Sequence, residues 1–383
     1  MSVAAARGFR ASGVAAGLKS SGLLDVALVV NDGPRTAGAG VFTANRVKAA
    51  PVLWTQQVVA DGRVDAVVLN SGGANACTGS QGFQDTHATA EWAAMALKAS
   101  AGDIAVCSTG LIGERLPVDR LLAGVDDAVE HLSPGGADDA ARAIMTTDSV
   151  PKQAVASGGG CTVGGMAKGA GMLAPGLATM LAVLTTDADI EPDVLDRVLR
   201  AATAATFDRV DSDGCMSTND TVLLLASGAS GVVPTEAGLA LLVEAVCSDL
   251  ARQLVDDAEG SSKTVAVTVR RARTEVEALT VARAVARSNL LKCAISGEDP
   301  NWGRVLAAVG TTDATFEPGR LAVALGGVWV CRDGMAGEDR ALVDMSGREV
   351  AITVDLDAGD DEVTVWTNDL TAAYVHENSA YST

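Results

Sequence analysis

An α/β fold of layered mixed sheets and helices is predicted from three observations. Short apolar runs end abruptly in Gly, Ser or Thr. Helical patterns lie between them. The later part of the chain alternates apolar and polar residues. Residues 25–30 (DVALVV) run into Asn31, Asp32 and Gly33. Residues 64–69 (VDAVVL) run into Asn70 and a Gly-rich stretch, and residues 104–107 (IAVC) run into Ser108, Thr109 and Gly110. Each reads as a buried strand followed by a tight loop. Residues 86–100 (THATAEWAAMALKAS) carry a helical pattern, and strand alternating with helix gives the α/β class.

The second half differs. Residues 263–270 (KTVAVTVR) alternate like a half-exposed strand, and residues 275–293 read as one helical stretch. Residues 350–356 and 362–367 flank the turn-forming residues 357–361 (DAGDD), which predicts a hairpin. Residues 157–160 (SGGG) read as a surface loop.

Bulk properties bound the function. With 383 residues the chain holds about two or three domains' worth of sequence, enough for a core without disulfides or metals. That core must be built from Ala, Val and Leu, since only 3% of residues are aromatic. A net charge of −19 with no Lys/Arg cluster argues against nucleic acid as a partner. The seven Cys are odd in number and contain no C-x-x-C pair, so reduced thiols are expected, with no structural zinc site. No apolar run reaches membrane-spanning length, and the longest, residues 171–184, is interrupted by Pro175. Arg7, Arg10 and Lys19 break any signal-peptide core, so a cytoplasmic protein is expected.

Two motif readings fail on the residues. The three histidines (His87, His131 and His376) accompany no G-x-S-x-G elbow, so a hydrolase triad finds no support. Residues 169–174 (GAGMLA) fit G-x-G-x-x-A, with Asp187 and Asp189 about twenty residues on. A nicotinamide site needs a helix opening at once after the glycines, and Pro175 would break its first turns.

Residues 164–187 (GGMAKGAGMLAPGLATMLAVLTTD) place one Lys and one Thr in apolar surroundings. A buried Lys is costly unless it meets an anion. From the residues alone, a Lys in a Gly-rich loop is more often solvated, and a Thr before an apolar run is more often a helix N-cap. The stretch from Lys168 to Leu181, KGAGMLAPGLATML, is similar throughout to the signature of the ornithine acetyltransferase / glutamate N-acetyltransferase family. The resemblance extends to residues 70–79 (NSGGANACTG), 108–110 (STG), 146–148 (TTD) followed by Pro151 and Lys152, 217–221 (STNDT), 257–260 (DAEG), 299–304 (DPNWGR) and the tail 377–383 (ENSAYST).

That resemblance implies an N-terminal-nucleophile-like protein that cuts itself between Ala178 and Thr179. It would give an N-terminal fragment, residues 1–178, and a C-terminal fragment, residues 179–383. The active site is expected where the two fragments meet, and the assembly as a heterotetramer of two copies of each. The freed Thr179 would carry both a nucleophilic hydroxyl and an α-amine to accept its proton, so no His is needed. The acetyl group of N-acetylornithine would pass to Thr179 and then to glutamate, in ping-pong order. The resemblance assigns the oxyanion hole to Thr109 and Gly110, and substrate contacts to Thr146, Lys168, Thr179, Glu259, Asn378 and Thr383. No cofactor is implied; some members also take acetyl-CoA as donor, which would make it a co-substrate. Two rival functions stay open on the residues: an N-terminal-nucleophile aminopeptidase or amidase, in which water is the acceptor, and a nicotinamide-dependent oxidoreductase.

Overall fold

A computed structural model describes residues 2–174 and 180–380. Two compact units form, one from residues 2–208 with Cys215–Leu254, the other from Arg209–Gly214 with residues 255–380. Segments from both sides of the 178/179 junction build the first unit.

The first unit contains strands β1 (Phe9–Val14), β2 (Val26–Asn31), β3 (Ala37–Phe42), β4 (Ala66–Asn70) and β5 (Ile104–Ser108). It continues with β6 (Lys152–Gly158), β7 (Cys161–Lys168), β8 (Leu181–Thr186) and β9 (Thr221–Ala226). Its helices are α1 (Ala50–Val58), α2 (Gly79–Leu97), α3 (Val118–Glu130), α4 (Ala137–Ala143), α5 (Pro192–Ala205) and most of α6 (Glu236–Asp256).

Two mixed sheets result, with orders β1-β2-β4-β5 and β3-β9-β8-β7-β6. The inner faces pack on each other: Val29, Val67 and Ala105 of the first share a core with Met166, Val183 and Leu223 of the second. Helices cover the outer faces. The amphipathic α3 presents Leu121, Val125 and Ala128 at helical spacing to the four-stranded sheet. Val246 and Leu250 of α6 lie over Gly165 of β7 on the other side. Burial on both faces explains why β2, β4, β8 and β9 are continuous apolar runs.

The predicted strands at 25–30, 64–69 and 104–107 appear as β2, β4 and β5. Residues 159–160 form the tip of the β6–β7 hairpin, where Gly159 (φ 59°) and Gly160 (φ 83°) supply the two left-handed positions such a turn needs. The dinucleotide reading that Pro175 argues against finds no support in the fold either. β7 runs antiparallel to both its neighbours, and no helix opens at residues 169–174, so the strand–loop–helix context is missing.

The second unit holds β10 (Thr264–Ala272), β11 (Ala322–Leu325), β12 (Val328–Arg332), β13 (Met335–Ala336), β14 (Glu349–Asp355) and β15 (Asp361–Asn368). Its helices are α7 (Glu275–Ala286), α8 (Asn289–Ser296), α9 (Trp302–Val309) and α10 (Ala372–Ala380). The expected hairpin does not form. β14 pairs with β10 in parallel and β15 pairs with β10 antiparallel, so β10 lies between them. With Val265, Val267 and Val269 fully buried, β10 is an interior strand of the six-stranded sheet β13-β12-β11-β14-β10-β15, next to the edge strand β15. The 357–360 loop instead crosses its end, with the Ala358 and Gly359 N–H groups donating to Arg271 O at 2.8 and 3.0 Å. The single helix expected over 275–293 is two, because the Ser288 hydroxyl accepts from Leu291 N–H and caps a new helix.

Candidate functional site

The site grows from the carboxyl ends of β4 and β5, a parallel pair in which Asn70 faces Ser108. Loops at such ends are the usual place for a ligand in α/β sheets. β5 is an edge strand, and α1 closes that edge. The Trp54 indole N–H donates to Ile104 O at 2.9 Å, while the Thr55 hydroxyl donates to Val106 O and accepts from Val106 N–H. These contacts leave little freedom in the strand that delivers Thr109 and Gly110.

The loop itself is tied down on several sides. Thr109 N–H donates to Asn70 O, and Gly73 N–H donates to Thr109 O at 3.0 Å. The buried Asn219 side chain donates to Ser108 O at 2.7 Å and Ala74 O at 2.6 Å. Gly110 sits at φ 129°, and a Cβ there would lie 2.9 Å from the Gly73 backbone, so only glycine fits. Among the described residues, neither the Thr109 O–H nor the Gly110 N–H meets an acceptor. Two donors on a rigid loop are what an oxyanion hole requires.

Lys168, at the end of β7 and 2% exposed, points its ammonium at this loop and donates to Thr109 Oγ1 at 3.4 Å. Behind it lies a buried network that sequence reasoning left without a role. The Asp148 carboxylate accepts from Gly169 N–H at 2.6 Å, from Thr146 N–H at 3.0 Å and from the Lys152 ammonium at 2.7 Å. Burial pushes the Asp148 carboxyl up, but Lys168, Lys152 and the Gly169 N–H outweigh it, so it titrates below its ordinary value. The Lys19 ammonium joins the same field and donates to Leu24 O and Met145 O. Its pKa is lowered by burial, against the pull of Asp25 and with a push from Lys168.

Asp220, just before β9, is fully buried. Its Oδ1 accepts the Met180 N–H at 3.0 Å, and its Oδ2 meets no hydrogen-bond partner among the described residues. Burial raises its pKa well above the usual carboxylate range, against the Met180 N–H. In sequence, Asp148, Lys152, Asn219 and Asp220 were visible only as members of family-like motifs. The one local signal was an Asp and a Lys four apart beside apolar runs.

Thr109, Gly110, Thr146 and Lys168 are therefore gathered in one place. Ala178, Thr179 and Thr383 lie outside the described residues. Glu259 and Asn378 belong to the second unit, where the Asn378 amide donates to Glu259 Oε2 at 3.0 Å. Glu259 lines a cavity of about 340 Å³ there, with Arg287, Lys292 and Tyr374. Burial lowers the Lys292 ammonium to about 8, against Asp213, Asp211 and Asp369. Among the described residues, no helix is long and apolar enough to cross a membrane. Burial pushes the Cys107 thiol, on β5, up to about 12, which leaves it a poor nucleophile.

Comparison with known proteins follows the same direction. The ArgJ family profile matches residues 10–383. The chain is 68% identical over 382 residues to the arginine biosynthesis bifunctional protein ArgJ of Streptomyces coelicolor, covering 100% of both chains. It is 64% identical to the protein of the same name from Thermobifida fusca, again covering 100% of both. Among solved structures, ornithine acetyltransferase from Mycobacterium tuberculosis, crystallised with ornithine, is 58% identical over 47% of this chain and 96% of that one, with a TM-score of 0.43. With a profile match over nearly the whole length and relatives matched end to end, this chain belongs to the ArgJ family.

Proposed function

We infer that this chain is the acetyltransferase of arginine biosynthesis that moves the acetyl group from N-acetylornithine to glutamate, releasing ornithine and N-acetylglutamate. The observation that carries this is the end-to-end identity of 68% with the Streptomyces coelicolor ArgJ protein. The Thr109–Gly110 loop gives that reading a physical basis. Its two donors suit the negative charge that develops on an attacked acetyl carbonyl, and one such donor is worth about 3 kcal/mol of barrier.

In the mechanism we propose, the chain is first cut between Ala178 and Thr179. The Thr179 hydroxyl then attacks the acetyl carbonyl of N-acetylornithine, and its proton passes through the Thr179 α-amine to the leaving nitrogen. The amide C–N bond breaks, ornithine departs, and an acetyl ester remains on Thr179. The amine of glutamate attacks that ester, the C–O bond breaks, and the hydroxyl regains a proton. Lys168 is suited to a substrate carboxylate, with Thr146 beside it. Glu259, Asn378 and Thr383 are the further substrate contacts, Glu259 suiting an ammonium group. Acetyl-CoA would acetylate the same hydroxyl through thioester cleavage, in keeping with the word bifunctional in the relatives' names. We place the enzyme in the cytoplasm, as two copies of each fragment.

Three measurements on purified protein test this. A denaturing gel with N-terminal sequencing should give one band beginning at Thr179. Incubation with N-acetylornithine alone should add about 42 Da to that fragment, as an acetyl group replaces one hydroxyl hydrogen. Glutamate should then remove the label as N-acetylglutamate. Release of free acetate without transfer would favour the amidase reading instead. A label on cysteine, or normal transfer by Thr179→Ala, would overturn the mechanism.

A further inference from the structure

We propose that Asp148 is a positioning residue for substrate binding, which holds Thr146 and Lys168 as one rigid unit and, with Lys152, sets the charge a substrate carboxylate meets. The proposal rests on the reading of Thr146 and Lys168 as substrate contacts and adds what orients them.

The geometry is specific. One oxygen of Asp148 takes the Gly169 N–H and the Lys152 ammonium, and the other takes the Thr146 N–H. Gly169 is the residue after Lys168, so the carboxylate fixes the backbone at which the Lys168 side chain begins. The same group fixes the backbone of Thr146. The side chains of Asp148 and Lys152 are both 0% exposed. Leaving either partner alone in that setting would expose a buried charge to strong desolvation, so the network behaves as a unit.

The charge pattern carries the second half of the argument. The Lys168 ammonium is faced by the Thr109 hydroxyl, by Asp148 and Asp220, and by the ammonium groups of Lys19 and Lys152. Asp148 carries one negative charge to the two ammonium groups of Lys152 and Lys168. It offsets their repulsion without cancelling both, whereas Asp148 with Lys168 alone would be a neutral pair. The field at the mouth of the site is thereby biased toward an anion. The Lys152 ammonium, fully buried, sets that bias from behind while Lys168 meets the ligand.

The test compares Asp148→Asn with Lys152→Met, both checked for folding by thermal melting. Binding of glutamate and of N-acetylornithine is followed by calorimetry across pH, alongside acetyl transfer. Asp148→Asn keeps the acceptor for one N–H but loses the charge. It should weaken both ligands about tenfold or more, act on KM more than on kcat, and move the alkaline limit of binding to lower pH. Lys152→Met leaves Lys168 paired one to one with Asp148. It should also weaken binding, yet move the alkaline limit to higher pH. Opposite movement of the two limits is the signature, because loss of packing would not move them apart. If Asp148→Asn fails to fold, the rise of the limit in Lys152→Met is decisive alone. Limits that stay put, or move together, overturn the proposal. Wild type that binds both ligands without transferring acetyl would sink the functional reading and leave this one standing; binding of neither would sink both.

Discussion

The side-chain amide of Asn219 donates to Ser108 O at 2.7 Å, joining the segment that leads into β9 to the carbonyl just before Thr109. A second bond from the same amide reaches Ala74 O at 2.6 Å. Asn219 thus holds the Thr109–Gly110 loop from behind, through backbone carbonyls rather than through Thr109 or Gly110 themselves. Asn219→Ala should lower kcat roughly tenfold with little change in KM, and cost about 1–3 kcal/mol of stability for two buried carbonyls left unpaired. Asn219→Asp should be worse, since a carboxylate would face two carbonyl oxygens. Steady-state kinetics and thermal melting check both; an intact kcat in Asn219→Ala would detach this residue from the loop's function.

Thr109→Ala should reduce kcat by about 10²–10³ while leaving the apparent substrate constant nearly unchanged. An oxyanion donor acts mainly in the transition state. Self-cleavage should slow as well, because the Ala178 carbonyl develops the same charge. An unaltered kcat would make Thr109 an ordinary turn residue.

Asp220 should make the protein less stable as pH rises. Its folded pKa lies well above the unfolded value near 3.8, so the folded state binds more protons between the two. Stability is therefore lost as pH climbs through that window. Asp220→Asn keeps an acceptor for the Met180 N–H and removes the ionisation. Denaturation midpoints at several pH values should show the variant gaining on wild type from acid toward neutral pH. Parallel curves would mean that Asp220 titrates normally.

Lys263 should prove structural. Its ammonium is buried and donates to Met345 O, Ser346 O and Gly347 O at 2.6–3.2 Å, and to Glu298 Oε1 at 2.8 Å. Lys263→Met keeps the apolar stem but strands three carbonyls. It should destabilise by about 2–4 kcal/mol, seen as a lower melting temperature or urea midpoint, with the catalytic constants of the folded protein little altered.

The strands that sequence located best were β2, β4 and β5, because burial on both faces writes itself as an unbroken apolar run. Register and partner choice were harder. Residues 350–356 and 362–367 look like hairpin arms locally, yet they pair along opposite edges of β10, whose backbone N–H and C=O groups are thereby met on both sides. The helical stretch after Glu275 hid its break, since Ser288 reads as one more polar position until its hydroxyl is seen to cap. At the site, Thr109, Gly110 and Lys168 were reached through resemblance and the fold gathers them. Asp148 and Lys152 were opaque for a physical reason. A lysine after Pro151 looks solvated unless one knows that β6 starts there and buries it. Ala178, Thr179 and Thr383, reached through resemblance alone, lie outside the described residues.

One pairing bears on how such a protein could be made. β7 precedes residue 178 and β8 follows residue 179, yet they are hydrogen-bonded neighbours from Val163 opposite Thr186 to Lys168 opposite Leu181. A chain nicked between them would not fall into two molecules; the halves would stay knitted and should melt together. Two genes encoding the halves separately would face a harder task. The first product would carry β7 with an unsatisfied edge, ready to stick to its own kind before meeting the second. Translation as one polypeptide, nicked only after the sheet has closed, avoids that exposure, and co-expressed halves should yield mostly insoluble material.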